Sequence, residues 1–308
     1  GDHRDLHSFP TRRSSDLVQA QVAVMFSGYA IGGMLSAVLG IWIVPQFGWQ
    51  VMFYLAVIPL LLLPLIWTQL PDSVAFLVRQ GKIAEARKVL AALTGKPLPD
   101  DAELAVHQPQ KTEQSLAALF SNNRALSTLM FFQAFFMCLL MVYGLGSWLP
   151  KLMTMAGYGF GSSLMFLLFL NIGGIIGAIG GGWLSDRFHP RPVLMLFFTL
   201  AAVSLALLGF KSHVAVLYFL VTVAGATTIG SQILLYAYVA QFYPTAIRST
   251  ALGWSSGVGR IGAILGPVLG GALLAMQLSH QMNFLAFVVP GALAVIAIML
   301  TAGRKEAV

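Results

Sequence analysis

The chain is short of charge. Only 9% of its 308 residues are Asp, Glu, Lys or Arg, against about 25% in a typical soluble domain. So little charge cannot cover a water-facing surface, which excludes a soluble enzyme or soluble binding module. Cysteine is nearly absent. The one residue, Cys138, lies in an apolar run, so a disulfide framework and a cysteine-built metal site are both excluded. No acid falls inside the apolar runs, and the six histidines lie in loops or near the N-terminus, which leaves no histidine proton relay at mid-membrane. HExxH, GxSxG and P-loop patterns are missing, so neither an intramembrane hydrolase nor an ATP-driven pump is supported. What the chain has is 57% hydrophobic residues and a mean hydropathy of +0.80. It reads as an integral membrane protein whose partner is the lipid bilayer. The net charge of +7 is then a matter of loops, and no nucleic-acid partner is expected.

Residues 1–17, GDHRDLHSFPTRRSSDL, are polar and end abruptly at Val18. HSFPTRRSSDL resembles a translated sequencing-adapter read, so 1–17 is expected to be a non-native prefix. Beyond it, runs of ~20 apolar residues suit the hydrocarbon core. Eight spans are expected, at 19–43, 49–70, 125–149, 162–184, 193–210, 214–241, 250–276 and 282–302. Loop charge orients them. Arg79, Lys82, Arg87, Lys88, Lys96, Lys111, Arg124, Arg187, Arg191, Arg248, Arg304 and Lys305 fall on one side, and only Lys151 and Lys211 on the other. That bias places the 71–124 segment and the C-terminus in the cytoplasm. Within 71–124, Asp72 and Ser73 open one amphipathic helix, FLVRQGKIAEARKVLAAL, with Phe76, Leu77, Ile83, Val89, Leu90 and Leu93 as its apolar face. Residues 95–114 are proline-rich and polar and read as a linker.

Glycines at spacing four put one bare face on a helix and let backbones approach. Gly28 and Gly32 mark the first span this way, Gly173, Gly177 and Gly181 the fourth, and Gly262, Gly266 and Gly270 the seventh. The seventh also carries Arg260, ten residues in. At 1.5 Å per residue that is ~15 Å deep, near the midplane. A charge there costs ~2.5–3.5 kcal/mol even on the mild insertion scale. Arg260 is therefore either the anchor of a substrate carboxylate, or half of a structural ion pair or a side chain snorkelling toward a helix end. Other polar groups within spans are Gln133, Tyr143, Asn171, Gln232, Tyr236, Tyr238 and Trp254. Each suits a substrate contact or an interhelical bond. Trp148 reads as an interface aromatic, and Phe131, Phe132, Phe135 and Phe136 as packing.

The turn between the fourth and fifth spans, Gly182-Trp183-Leu184-Ser185-Asp186-Arg187-Phe188-His189-Pro190-Arg191, places a carboxylate and two guanidiniums at helix ends. It is either a contact that makes and breaks between conformations or a solvated hairpin. The stretch resembles the G-x-x-x-D-R-x-G-R-R signature of the major facilitator superfamily. Gly182, Asp186, Arg187 and Arg191 match it, while His189 and Pro190 replace its glycine and first basic residue. LPDSVAFLVRQG (70–81) resembles the P-E-S-P-R-F-L segment that follows the sixth helix in that family. YPTAIRSTALGW (243–254), with Arg248, resembles the connection from helix ten to helix eleven, and Gln241 stands where many members carry glutamate.

The resemblance implies an all-α membrane protein, a twelve-helix bundle of two halves in which the eight spans are helices 5–12. Residues 18–70 would end the N-terminal half, 71–124 form the central loop, and 125–308 make the six-helix C-terminal half. GVGRIGAILGP and MFSGYAIGG most resemble the aromatic acid:proton symporters. The implied activity is proton-coupled uptake of an aromatic or other organic carboxylate across the bacterial cytoplasmic membrane by alternating access, with no enzyme activity and no cofactor. In that scheme Arg260, Gln133, Asn171, Gln232, Tyr236, Trp254 and Tyr143 would bind the small organic anion. Gly182, Asp186, Arg187, Arg191 and Arg248 would govern the conformational change. A monomer is expected, with no metal. A sugar or drug carrier of the same superfamily, or a non-transporting membrane fragment, are the competing readings. A mid-span cation favours an anion over a neutral sugar.

Overall fold

The computed structural model describes residues 28, 31–61, 63, 64, 68, 72, 74–94 and 116–301. The expected prefix, the start of the first span and the 95–114 linker lie outside them. The described residues are helical, with no strand among them. In chain order the helices are α1 (Ile31–Phe47), α2 (Gln50–Leu55), α3 (Ile58–Leu61), α4 (Val74–Arg79), α5 (Ile83–Thr94), α6 (Ala117–Phe120), α7 (Ala125–Met155), α8 (Phe160–Phe188), α9 (Pro190–Leu208), α10 (Val214–Phe242), α11 (Thr245–Ala275) and α12 (His280–Leu300). Six of them, α7 to α12, are long and apolar enough to cross a membrane. The two N-terminal apolar segments are shorter in the described residues, Ile31–Phe47 and Gln50–Leu61. Eight full spans are therefore not all seen. The chain forms two compact units, one of residues 1–45 with 113–308, the other of 46–112.

Two glycine seams hold the first unit together. Along α11, a methyl group on Gly262 would strike the Phe136 carbonyl of α7, and one on Gly266 would meet the Leu140 carbonyl at 2.5 Å and the Gly144 nitrogen at 2.8 Å. Along α8, methyls on Gly173 and Gly177 would strike the Thr222 and Ala226 carbonyls of α10. A Gly225 methyl on α10 would strike Leu170 in return. Backbone thus lies on backbone in both pairs, α7 with α11 and α8 with α10. This is the dispersion-driven contact that small residues permit where lipid removes any hydrophobic drive. The expected face on the first span is shifted by one residue. Methyls on Gly28 and Gly32 would meet nothing, whereas Gly33 faces the side-chain amide of Asn171.

Aromatic packing fills the rest. Phe131 and Phe135 are fully buried. Phe131 lies edge-on to Tyr238 and Phe242 at 5.1 Å, and Phe135 edge-on to Tyr236 at 5.0 Å. Trp148 packs against α11. Its indole N–H donates to the Pro267 carbonyl of α11 at 2.7 Å, and Gly270 leaves the slot in which the ring lies.

The third span outruns its expected end at residue 149. α7 continues through Pro150 to Met155. Spanning helices tolerate a proline because neighbouring groups and local adjustments take up the freed backbone. The end comes instead at Gly157, whose φ is +99°. There Tyr158 N–H bonds Met153 O at 3.1 Å and Gly157 N–H bonds Thr154 O at 3.0 Å, a Schellman closure.

In the second unit the single amphipathic helix expected after Asp72 is two, α4 and α5. Gly81, with φ +76°, ends α4 in the same manner, with Lys82 N–H on Leu77 O at 2.9 Å and Gly81 N–H on Val78 O at 3.0 Å. Leu77 is buried, while Phe76 and Ile83 are exposed.

Candidate functional site

A cavity of about 270 Å³ opens among α1, α7, α8 and α10. Val142, Leu167, Leu170 and Ile229 give it apolar walls, and Ser36, Tyr143, Ser147 and Asn171 give it polar ones. A mainly apolar surface with a few placed polar groups is the usual character of a small-molecule site. Asn171 reaches the wall because Gly33 opposite has no side chain. Its Nδ2 donates to Leu167 O, one turn back, at 2.8 Å, and keeps a second hydrogen for a ligand. Gly146 also lines the cavity. Its carbonyl lies one turn before Pro150, which has no N–H to give it.

Charge arrives from α11. Arg260 Nη1 donates to the Tyr143 hydroxyl at 3.0 Å, across 117 residues of sequence. Of the readings open for Arg260, an ion pair has no support among the described residues, since the partner there is a hydroxyl and not a carboxylate. A phenol accepts a hydrogen bond without cancelling the charge, so the guanidinium keeps its full positive charge and most of its five N–H donors. Arg260 is exposed, on the face of α11 that also carries Gly257, Ile261 and Ile264, away from the seam with α7. The residues brought together are thus Tyr143, Asn171 and, through Tyr143, Arg260.

The remaining candidates sit elsewhere. Gln133 and Gln232 are half-buried and off the cavity wall. Tyr236 packs on Phe135, and Trp254 is 48% exposed. Ser36, Gly33 and Gly146 were missed by sequence reasoning. A serine or an off-register glycine in an apolar run carries no signal of its own, and only the neighbouring helix makes each one a wall.

At the α8–α9 turn, Asp186 is exposed and forms no ion pair among the described residues. Arg187 lies over the rings of Trp183 and Phe188, at 5.9 and 5.6 Å. Arg191 Nη2 donates to Met299 O of α12 at 2.8 Å. A methyl on Gly182 would meet nothing, so that glycine is not a packing residue here. His189 takes φ +66° and ψ +151°, a region essentially reserved for glycine. Arg248, near the start of α11, is half-buried, and its Nε is buried without a hydrogen-bond partner. Nearby, Arg124 is 6% exposed; its Nε bonds Ser121 O at 3.3 Å while Nη1 has no partner. Tyr243, between α10 and α11, shares a 2.7 Å hydrogen bond with Thr128. Burial pushes its phenol above the ordinary value, against the opposing effects of that bond and of the Arg124 charge.

Six apolar spans, two glycine seams and an amphipathic cavity with a cation bonded to its wall describe a multi-pass helical membrane protein with a cavity suited to a small molecule. Its kinship agrees. Residues 170–307 match the Major Facilitator Superfamily pattern, and residues 15–147 match that of the sugar (and other) transporters. The chain is 46% identical over 287 residues to the benzoate transport protein of Acinetobacter baylyi, covering 92% of this chain and 62% of that protein. It is 38% identical over 283 residues to the gentisate transporter of Corynebacterium glutamicum (89% and 58%). It is 36% identical over 300 residues to the 4-hydroxybenzoate transporter PcaK of Pseudomonas aeruginosa (94% and 65%). The chain therefore spans about six-tenths of the length of these relatives. Among solved structures, the fucose:proton symporter FucP of E. coli shares the fold, with a TM-score of 0.54 at 18% identity over 72% of this chain and 53% of that one. The chain belongs to the major facilitator superfamily.

Proposed function

We propose that this chain is part of a secondary transporter for an aromatic carboxylate, working by alternating access. The observation that carries the reading is the unneutralised Arg260 guanidinium on the hydroxyl of a cavity-lining tyrosine. An aromatic acid has two demands, a cation for its carboxylate and an apolar slot for its ring. Arg260 supplies the first, and Val142, Leu167, Leu170 and Ile229 the second. The kinship with transport proteins for benzoate, gentisate and 4-hydroxybenzoate supports the same substrate class. Tyr143 would hold the guanidinium in place between substrates, and the Asn171 amide would donate a second hydrogen bond to the carboxylate. Uptake would be coupled to a proton. Asp186, in the last turn of α8, is the one acid within α7 to α12, so a coupling group within the membrane would lie outside these spans. The 71–124 segment and the C-terminus would face the cytoplasm of a bacterium, and the carrier would act as a monomer.

Counterflow in proteoliposomes, with labelled aromatic acids, aliphatic acids and sugars, tests the substrate class. Aromatic acids should exchange and sugars should not, and the reverse pattern refutes the carboxylate reading. Arg260→Ala should abolish carboxylate exchange while leaving the protein in the membrane. Arg260→Lys should also be damaging, because the planar fork is lost. Exchange by Arg260→Ala at near wild-type rate removes Arg260 from the site.

A further inference from the structure

The turn between α8 and α9 carries a second cavity, which shares no lining residue with the first. It holds about 260 Å³ and is lined by His189, Arg191, Tyr238, Gln241 and Phe242, with the two prolines that flank Arg191. α8 ends there, α9 begins there and α10 ends there, so the cavity lies at the depth where the spans leave the apolar core. Its polar lining is a guanidinium, an imidazole, a phenol and an amide, with no carboxylate.

The lining is also held in place. Arg191 Nη2 is fixed on Met299 O at 2.8 Å, which uses one of five guanidinium hydrogens. The Tyr238 hydroxyl is fixed against Thr301 at 3.0 Å. Pro190 and Pro192 offer no backbone N–H, which leaves more of the recognition of an anion here to side chains. The same prolines and Phe242 give the cavity an apolar wall.

We propose that this cavity binds the phosphate of an anionic phospholipid, with Arg191 as its charge partner and the lipid's glycerol end against Phe242. Basic pockets between spans at the headgroup level select anionic lipids in this way, and a guanidinium fork matches phosphate geometry. The depth and the apolar wall favour a lipid over free phosphate, which needs neither.

The test is native mass spectrometry of the full 308-residue chain in detergent, titrated with phosphatidylglycerol, phosphatidylcholine or inorganic phosphate. Phosphatidylglycerol should be retained at concentrations about fivefold or more below phosphatidylcholine, the factor expected for one basic side chain near the headgroups. Arg191→Gln should erase that preference and Arg191→Lys should keep most of it. Gln241→Glu leaves the Arg191–Met299 bond intact and adds a negative charge to the wall, so it should erase the preference too. Equal retention of both lipids by the wild type, or a preference that survives both Arg191→Gln and Gln241→Glu, overturns the proposal. Binding of inorganic phosphate with no preference between the lipids refutes the lipid source and leaves a free-oxyanion site.

Discussion

Two glycines nine positions apart on α11 should answer the same substitution with opposite signs. In Gly266→Ala the new methyl would lie 2.5 Å from the Leu140 carbonyl oxygen and 2.8 Å from the Gly144 nitrogen, where ordinary contact begins at 3.4 Å. Relief requires a movement of about 0.9 Å, by subtraction of the first distance from the last. Both atoms struck are backbone, so no side chain can swing aside and α7 and α11 must part. A gap of ~0.5–1 Å forfeits a quarter to a half of each dispersion contact along the seam, and overpacking of this kind costs ~1–3 kcal/mol. In Gly257→Ala the methyl meets nothing within 4 Å, and the helix gains up to ~1 kcal/mol from alanine's better propensity. Thermal unfolding of the purified chain, followed by circular dichroism in one detergent, reads both. Gly266→Ala should melt several degrees below wild type, and Gly257→Ala at or slightly above it. If the two variants shift together, or if Gly266→Ala is neutral, the backbone seam does not hold the two helices as argued.

Two further outcomes use the same melting assay. His189→Gly should raise stability by up to ~2.5 kcal/mol: a non-glycine residue in that backbone region costs ~1–3 kcal/mol, offset by ~0.5–1 kcal/mol of glycine's extra chain entropy. A lower melting temperature would show that the imidazole contributes more than the backbone loses. Trp148→Phe keeps a ring in the Gly270 slot but removes the donor to Pro267 O, and should cost ~0.5–1.5 kcal/mol; an unchanged melting temperature would show that the bond adds nothing.

Much of the bundle was legible in the sequence because bilayer thickness and helical rise leave few choices for an apolar run. The glycines of the fourth and seventh spans were legible for a similar reason, since spacing of four defines a face wherever the helix sits. The first span shows the limit of that logic. Gly28 and Gly32 satisfy the same spacing, yet Gly33 is the residue in contact, because the neighbour sets the rotation of a helix and the pattern does not. The third span runs past its expected end at 149 because a spanning helix tolerates a proline such as Pro150. Gly81 was passed over inside an amphipathic pattern, although its left-handed backbone ends α4. At the site, Arg260 was conspicuous as a charge in an apolar run. Its partner was not, because Tyr143 lies 117 residues away and competes with every other aromatic on its helix.

The two seams also constrain how this half of the bundle can change shape. A carbonyl seated in the notch of a glycine acts as a tooth in a rack. Sliding one helix along its mate would drive that carbonyl into the next side chain, so α7 with α11 and α8 with α10 each travel as a locked plank. The Tyr143 cavity takes its walls from both planks, Val142 and Tyr143 from one and Leu167, Asn171 and Ile229 from the other. Any change in its volume that spares both seams has therefore to be taken up between the planks, at contacts such as Phe131 on Tyr238 and Phe135 on Tyr236.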